Sequence, residues 1–139
     1  MFYAVIDTNV LVSAMLNMNS TPGKVIQSVF IGDTIPMMNE EMMNEYHDVL
    51  RREKFHFPCE LVDVVLKRFM ASGVRVSIQP EDNLEVSDPK DRCFYAVTMA
   101  VRAVYDAMLV TGNIRHFPNK PFIITPAQFV SLLQSEKQS

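Results

Sequence analysis

Short apolar runs alternate with helix-length segments from one end of this chain to the other, and that alternation restricts the fold more than any other feature. "FYAVI" (Phe2–Ile6) is rich in strand formers. Asn9 to Leu16 reads as a helix. "NMNST" reads as a loop, and Thr21-Pro22 as the N-cap and first position of a second helix ending near Gly32. "TIPMM" is a short strand that Pro36 moves towards an edge or a strand end. Asn39 can cap the next helix, which runs to about Glu53. "FPCELVDVVLKRFMASG" is a further helix, stopped at Gly73. "VRVSI" (74–78) alternates as a half-exposed strand. "SDPKDRCFYAVTMAVRA" (87–103) opens on an Asp-Pro cap and continues as a helix. "AMLVTG" is a buried strand, "FPNKP" a turn, "FIIT" a last strand and "PAQFVSLLQ" a closing helix. This order predicts an α/β protein: a three-layer αβα sandwich with a central, mostly parallel sheet. Residues 1–139 read as a single domain, without repeat or linker.

The frame gives a role to the first polar interruption. "AVIDTNVLVSAML" places Asp7, Thr8 and Asn9 inside an otherwise apolar stretch, where polar groups are costly unless satisfied. In open α/β sheets, ligands sit beyond the carboxyl ends of the strands. Asp7 stands at such an end, Asn113 follows "AMLVTG", and Asp91 lies in the first turn of a helix starting on the same edge. Glu45 flanks an apolar helical face of Met42, Met43, Tyr46, Val49 and Leu50, so it can reach sideways into a cleft. Carboxylates gathered on one edge repel, and Mg²⁺ or Mn²⁺ with their preference for oxygen ligands would relieve this.

Plainer readings compete. Asp7 reads equally well as a helix cap. Asp88 reads as an N-cap with Pro89 at N1, which puts Asp91 at N3, where an acid also suits the helix dipole; for Asp91 this local reading is the stronger. Glu45 lies four residues after Glu41, a mildly unfavourable pair that tilts it towards function. Asn113 and Thr111 also read as turn and strand-end residues. His47, His56 and His116 form no metal-ligand pattern, and Cys93 falls on an apolar face.

Composition removes other classes. The chain is 48% apolar, so it can build a core, and its net charge of −3 does not advertise nucleic-acid binding. Its two cysteines, Cys59 and Cys93, read as free thiols in a reducing compartment. No secretory leader and no membrane-length apolar run is expected, which points to the cytoplasm. There is no G-x-S-x-G elbow and no glycine-rich phosphate loop. Ten methionines are many for this length. Met37 to Met43, with Tyr46, read first as core and second as an adaptable contact surface.

"VIDTNVLVSAML", "NEEMMNEYHDVLRREKF", "DPKDRCFYAVTMA" and "MLVTGNIRHFP", in that order, resemble the PIN-domain family, and more narrowly its bacterial and archaeal toxin components. The resemblance extends from Tyr3 to Phe129. It implies a metal-dependent ribonuclease site in which Asp7, Glu45 and Asp91 are catalytic and bind Mg²⁺ or Mn²⁺. The family often has a fourth acid where this chain has Asn113, an amide that ligates without charge. Thr8, Asn9 and Thr111 match site-ordering positions. Arg115 and His116, with Lys90 or Arg92, are candidates for the phosphate backbone. The implied partners are an RNA substrate and a cognate antitoxin, with a homodimer left open and no membrane. Two alternatives stand beside it. One is a catalytically weak RNA- or protein-binding module. The other is a different acid-site enzyme such as a phosphatase, although an aspartyl-nucleophile phosphatase would want an acid at position 9.

Overall fold

The computed structural model describes residues 1–77, 86 and 88–138. Five strands form one sheet among them: β1 (Phe2–Ile6), β2 (Thr34–Met38), β3 (Val74–Arg75), β4 (Ala107–Val110) and β5 (Ile123–Ile124). Their order is β3-β2-β1-β4-β5, and every neighbouring pair is parallel. The helices are α1 (Thr8–Leu16), α2 (Thr21–Phe30), α3 (Glu40–Leu50), α4 (Cys59–Ala71), α5 (Pro89–Val101) and α6 (Pro126–Gln138). The protein is therefore α/β with an all-parallel sheet, as the alternation predicts.

Side chains on β1 show how the layers form. Successive strand residues point to opposite faces. Phe2 meets Phe129 of α6 edge-on, with ring centroids 5.6 Å apart. Tyr3, on the other face, packs on Tyr105 just beyond α5 at 4.5 Å. Helices thus cover both faces, and the middle strands can be apolar throughout. Ala4, Val5, Ile6, Leu109 and Val110 are all fully buried.

Several boundaries move. Ser20, not Thr21, caps α2: its side chain accepts from the Gly23 amide, because the cap must precede the first helical residue. The helix ends at Phe30, and Gly32 turns the chain with φ +87°, a region that favours glycine. Helix α3 stops at Leu50 rather than Glu53, and Glu53–Phe55 winds instead as a 3-10 turn. The β3 strand is only two residues long; Ile78 of "VRVSI" and Ser87 of "SDPKD" lie outside the described residues.

Pro36 sits in an interior strand, contrary to the edge expectation. The reason is that β3 pairs only with Met37 and Met38, so no β3 residue is paired with Pro36. Gly73 approaches there instead; a Cβ on it would come within 2.6 Å of the Pro36 carbonyl oxygen. The methionine segment is also settled. Met37, Met38, Met42 and Met43 are buried, as is Tyr46, so they are core and not a contact surface. Among the described residues no helix is long and apolar enough to cross a membrane.

This topology fixes where a site belongs. From β1 the chain builds outwards through β2 to β3, then crosses back to place β4 on the other side of β1. The crevice at the carboxyl ends of β1 and β4 is the switch point, where parallel α/β sheets bind ligands.

Candidate active site

Asp7 lies at that switch point. Its amide donates to the Val110 carbonyl at 3.0 Å, extending the β1–β4 ladder by one residue. It occupies the N-cap position of α1, yet its side chain makes no capping hydrogen bond. Instead Oδ2 accepts from the Thr111 hydroxyl at 2.8 Å and from Asn9 Nδ2 at 3.3 Å. The Thr111 hydroxyl itself accepts the Asn113 amide at 3.0 Å, so its proton is committed to Asp7. Asn9 also ties the strands together, its Oδ1 accepting the Gly112 amide at 3.0 Å. Burial pushes the Asp7 carboxyl up to about 6. The Thr111 bond opposes that rise, and the charges of Asp91 and Glu45 add to it.

Glu45 enters from α3. The Thr8 hydroxyl donates to its Oε2 at 2.5 Å. Tyr46, the next residue, is fully buried and donates its hydroxyl to the Ile6 carbonyl at 2.5 Å. That bond pins α3 to the end of β1, one residue before Asp7. Glu45 is also raised, chiefly by burial. Thr8 and the cations Lys90 and Arg52 work against this, and Asp91 reinforces it. Periodicity places Tyr46 on the apolar face and says nothing of its hydroxyl. The available signal is a tyrosine beside the candidate acid, since a buried tyrosine hydroxyl needs an acceptor.

Asp91 is the third residue of α5, and Asp88 caps that helix by accepting the Lys90 amide at 3.0 Å. Its carboxyl is raised by burial first and by the charge of Asp88 second, with His116 lowering it. His116 Nδ1 lies 3.2 Å from Asp91 Oδ2, within ion-pair range. Oδ2 is buried and has no hydrogen-bond partner among the described residues.

Other candidates stand at the rim. Asn113 is exposed and starts the 3-10 turn Ile114–His116 without a side-chain cap bond. Arg115 is exposed on that turn, and Lys90 on the first turn of α5. Arg92 Nε donates to the Val86 carbonyl at 2.7 Å. Cys93 is buried beside Asn39, and burial holds its thiol up at about 12, far from a thiolate.

The three acids sense one another's charge from three separate segments of the chain, although no three His, Cys, Asp or Glu side chains among the described residues stand close enough to cage an ion unaided. The donor set still fits a hard divalent cation. It consists of carboxylate oxygens, one of them orphaned and buried, and Mg²⁺ keeps several waters and needs few protein ligands.

A family model described as the PIN domain matches residues 3–115, which contain Asp7, Glu45, Asp91 and Asn113. The chain belongs to the PIN-domain family. An uncharacterized protein of Methanocaldococcus jannaschii is 30% identical over 111 residues, covering 78% of this chain and 69% of that protein. No solved structure matches. PIN domains are generally metal-dependent nucleases, which implies a nucleic-acid substrate and the use of divalent metals. The matched region ends before β5 and α6, whereas the motif resemblance runs on to Phe129.

Proposed function

We propose that this PIN-domain protein is a divalent-metal-dependent endoribonuclease, the toxin of a toxin–antitoxin pair, acting in the cytoplasm as a single domain. The observation that carries the nuclease reading is the convergence of Asp7, Glu45 and Asp91 on one switch-point crevice, with burial raising the proton affinity of all three. A cluster that resists ionisation is unfavourable in the empty protein and is matched by a bound cation.

Asp7, Glu45 and Asp91 would hold Mg²⁺ or Mn²⁺. When bound, such an ion supplies the charge that acidifies a water and neutralises the attacked phosphate. The chain's own groups do the positioning. Thr111 and Asn9 hold Asp7 Oδ2 and so fix the orientation of the carboxylate. Thr8 occupies Glu45 Oε2 in the same way. Lys90 and Arg115 stand exposed where an RNA backbone would pass. The toxin assignment rests on the motif resemblance, and its partner would be a cognate antitoxin that restrains cleavage.

The test is cleavage of a generic RNA with Mn²⁺ by the parent and by Asp7→Asn. The variant should lose more than about 100-fold, the upper range for removing a supporting partner of a metal. A folded variant cutting at the parent rate would overturn the assignment. RNA binding by the parent without cleavage at any Mn²⁺ concentration would favour the binding-module reading, for which uncharged Asn113 is the argument.

A further inference from the structure

We infer that the turn after α3, residues 52–57, is a docking platform for single-stranded RNA, on which a base stacks against Phe55 while Arg52 and Lys54 take backbone phosphates. The inference rests on the nucleic-acid reading above and adds to the acids a second contact with the same strand.

The stretch "RREKFHFP" (51–58) interleaves cations with aromatics in a chain whose net charge is −3. The Phe55 amide donates to the Arg52 carbonyl at 3.1 Å and the His56 amide to the Glu53 carbonyl at 3.0 Å, which winds the 3-10 turn. His56 then bends the chain in the left-handed region at φ 55°, which histidine tolerates better than most side chains. The rings on either side of it stack: Phe55 and Phe57 are 12° from parallel, with centroids 5.5 Å apart. Phe57 packs on the hydrophobic core, whereas Phe55 is half-buried and does not. Phe55 rests on Phe57 and carries the Lys54 ammonium 5.0 Å from its centroid.

A near-parallel aromatic pair anchored through one member is a stack that a further flat ring can lengthen, and every unpaired base has such a face. The exposed cation–π contact is weak enough to be exchanged. Lys54 has no carboxylate partner among the described residues, so its ammonium can turn to a phosphate. Arg52 pairs with Asp48 at 3.7 Å, an exposed contact that water and salt weaken. Position ties the turn to the crevice. Arg52 comes seven residues after Glu45, two helical turns along the same face of α3 and roughly 10 Å away. Its charge is felt at Glu45. A strand cut at the acids therefore reaches the stack within a few nucleotides. Exposed rings would also suit a protein partner, but residues 51–57 carry three cations to one acid, which favours a polyanion.

The chain has no tryptophan, so Phe55→Trp is both a conservative variant and a fluorescent reporter. The full-length parent, Phe55→Trp, Phe55→Ala and the double variant Arg52→Gln, Lys54→Gln are titrated with a mixed-sequence RNA of about twelve nucleotides, single-stranded and as its duplex. A chelator prevents cleavage, and anisotropy of the labelled RNA reads binding across a range of salt. Single-stranded RNA should quench the emission of Phe55→Trp, and the duplex, whose bases are already stacked, should not. Phe55→Ala should bind the single strand about tenfold more weakly, while Phe55→Trp binds it as the parent does. The double variant should lower the salt slope by roughly 0.7 for each cation removed. Unchanged Phe55→Trp emission with RNA bound, equal affinities for the parent and Phe55→Ala, or no binding by the parent overturns the platform. So does a parent dimer that Phe55→Ala breaks without touching RNA binding. Mn²⁺-dependent cleavage by the parent in any of those cases leaves the nuclease reading standing. Quenching and binding without cleavage at any Mn²⁺ concentration supports the platform and removes the nuclease.

Discussion

The two halves of the crevice are built differently. On the β1–β4 side the polar groups are tied together: Thr111 and Asn9 bond Asp7 Oδ2, the Asn113 amide fixes the Thr111 hydroxyl, and Tyr46 locks α3 to Ile6. On the α5 side the buried Asp91 Oδ2 meets only His116, 3.2 Å away on an exposed turn. Sheet ladders position side chains tightly because the backbone on both sides is already bonded. A helix start and a 3-10 turn leave more to a ligand. The difference separates a preorganised half from a half that a cation would complete.

The largest effect that would sharpen this contrast is the pH dependence of stability without metal. Asp7 holds its proton more tightly folded than unfolded. The stability this contributes is full below the ordinary value of 3.8 and is lost as pH rises through about 6. Asp7→Asn cannot lose it. With chelator present, urea unfolding should find the two proteins alike near pH 4 and the variant more stable by about 3 kcal/mol at pH 7.5. A parallel pH dependence in both would remove Asp7 as the strained group.

Next come the locks of the preorganised half. Tyr46→Phe leaves the buried Ile6 carbonyl without its donor and should cost about 1–3 kcal/mol in urea unfolding. Thr111→Val should cost about as much, and Thr111→Ser should recover it. His116→Gln, on the open half, should change stability by less than about 0.5 kcal/mol. Equal costs on the two sides would erase the distinction.

The smallest effect is at Asn113. Asn113→Asp adds a charge at an exposed position, so metal-free stability should scarcely move. If residue 113 reaches the ion, Mn²⁺ affinity should rise a few-fold by calorimetry. An unchanged affinity leaves it as a turn residue.

Much of the fold was legible because each signal was local. Short apolar runs marked β1, β2 and β4, and Asn39 and Asp88 marked helix starts. The errors came from tertiary context: Pro36 tolerates an interior strand only because β3 is short, and nothing near Pro36 in sequence announces that. The expectation that Asp7 and Asp91 share an edge comes from a strand end and a helix start, and Glu45 from its place beside an apolar helical face. Their supports were harder to read. The Thr111–Asp7 bond joins residues 104 apart and Tyr46–Ile6 joins residues 40 apart, pairings that depend on which strand lies beside which. The strand order itself, which creates the switch point, leaves no local trace.

The central claim is that Asp7, Glu45 and Asp91 bind one divalent cation together. Mn²⁺ titration calorimetry of the parent and of Asp7→Asn, Glu45→Gln and Asp91→Asn tests it directly, because it needs no substrate. One site per chain in the parent, weakened at least about tenfold by each substitution with the fold intact, is the predicted result. A parent site indifferent to all three substitutions, or no site at millimolar Mn²⁺, would contradict the account.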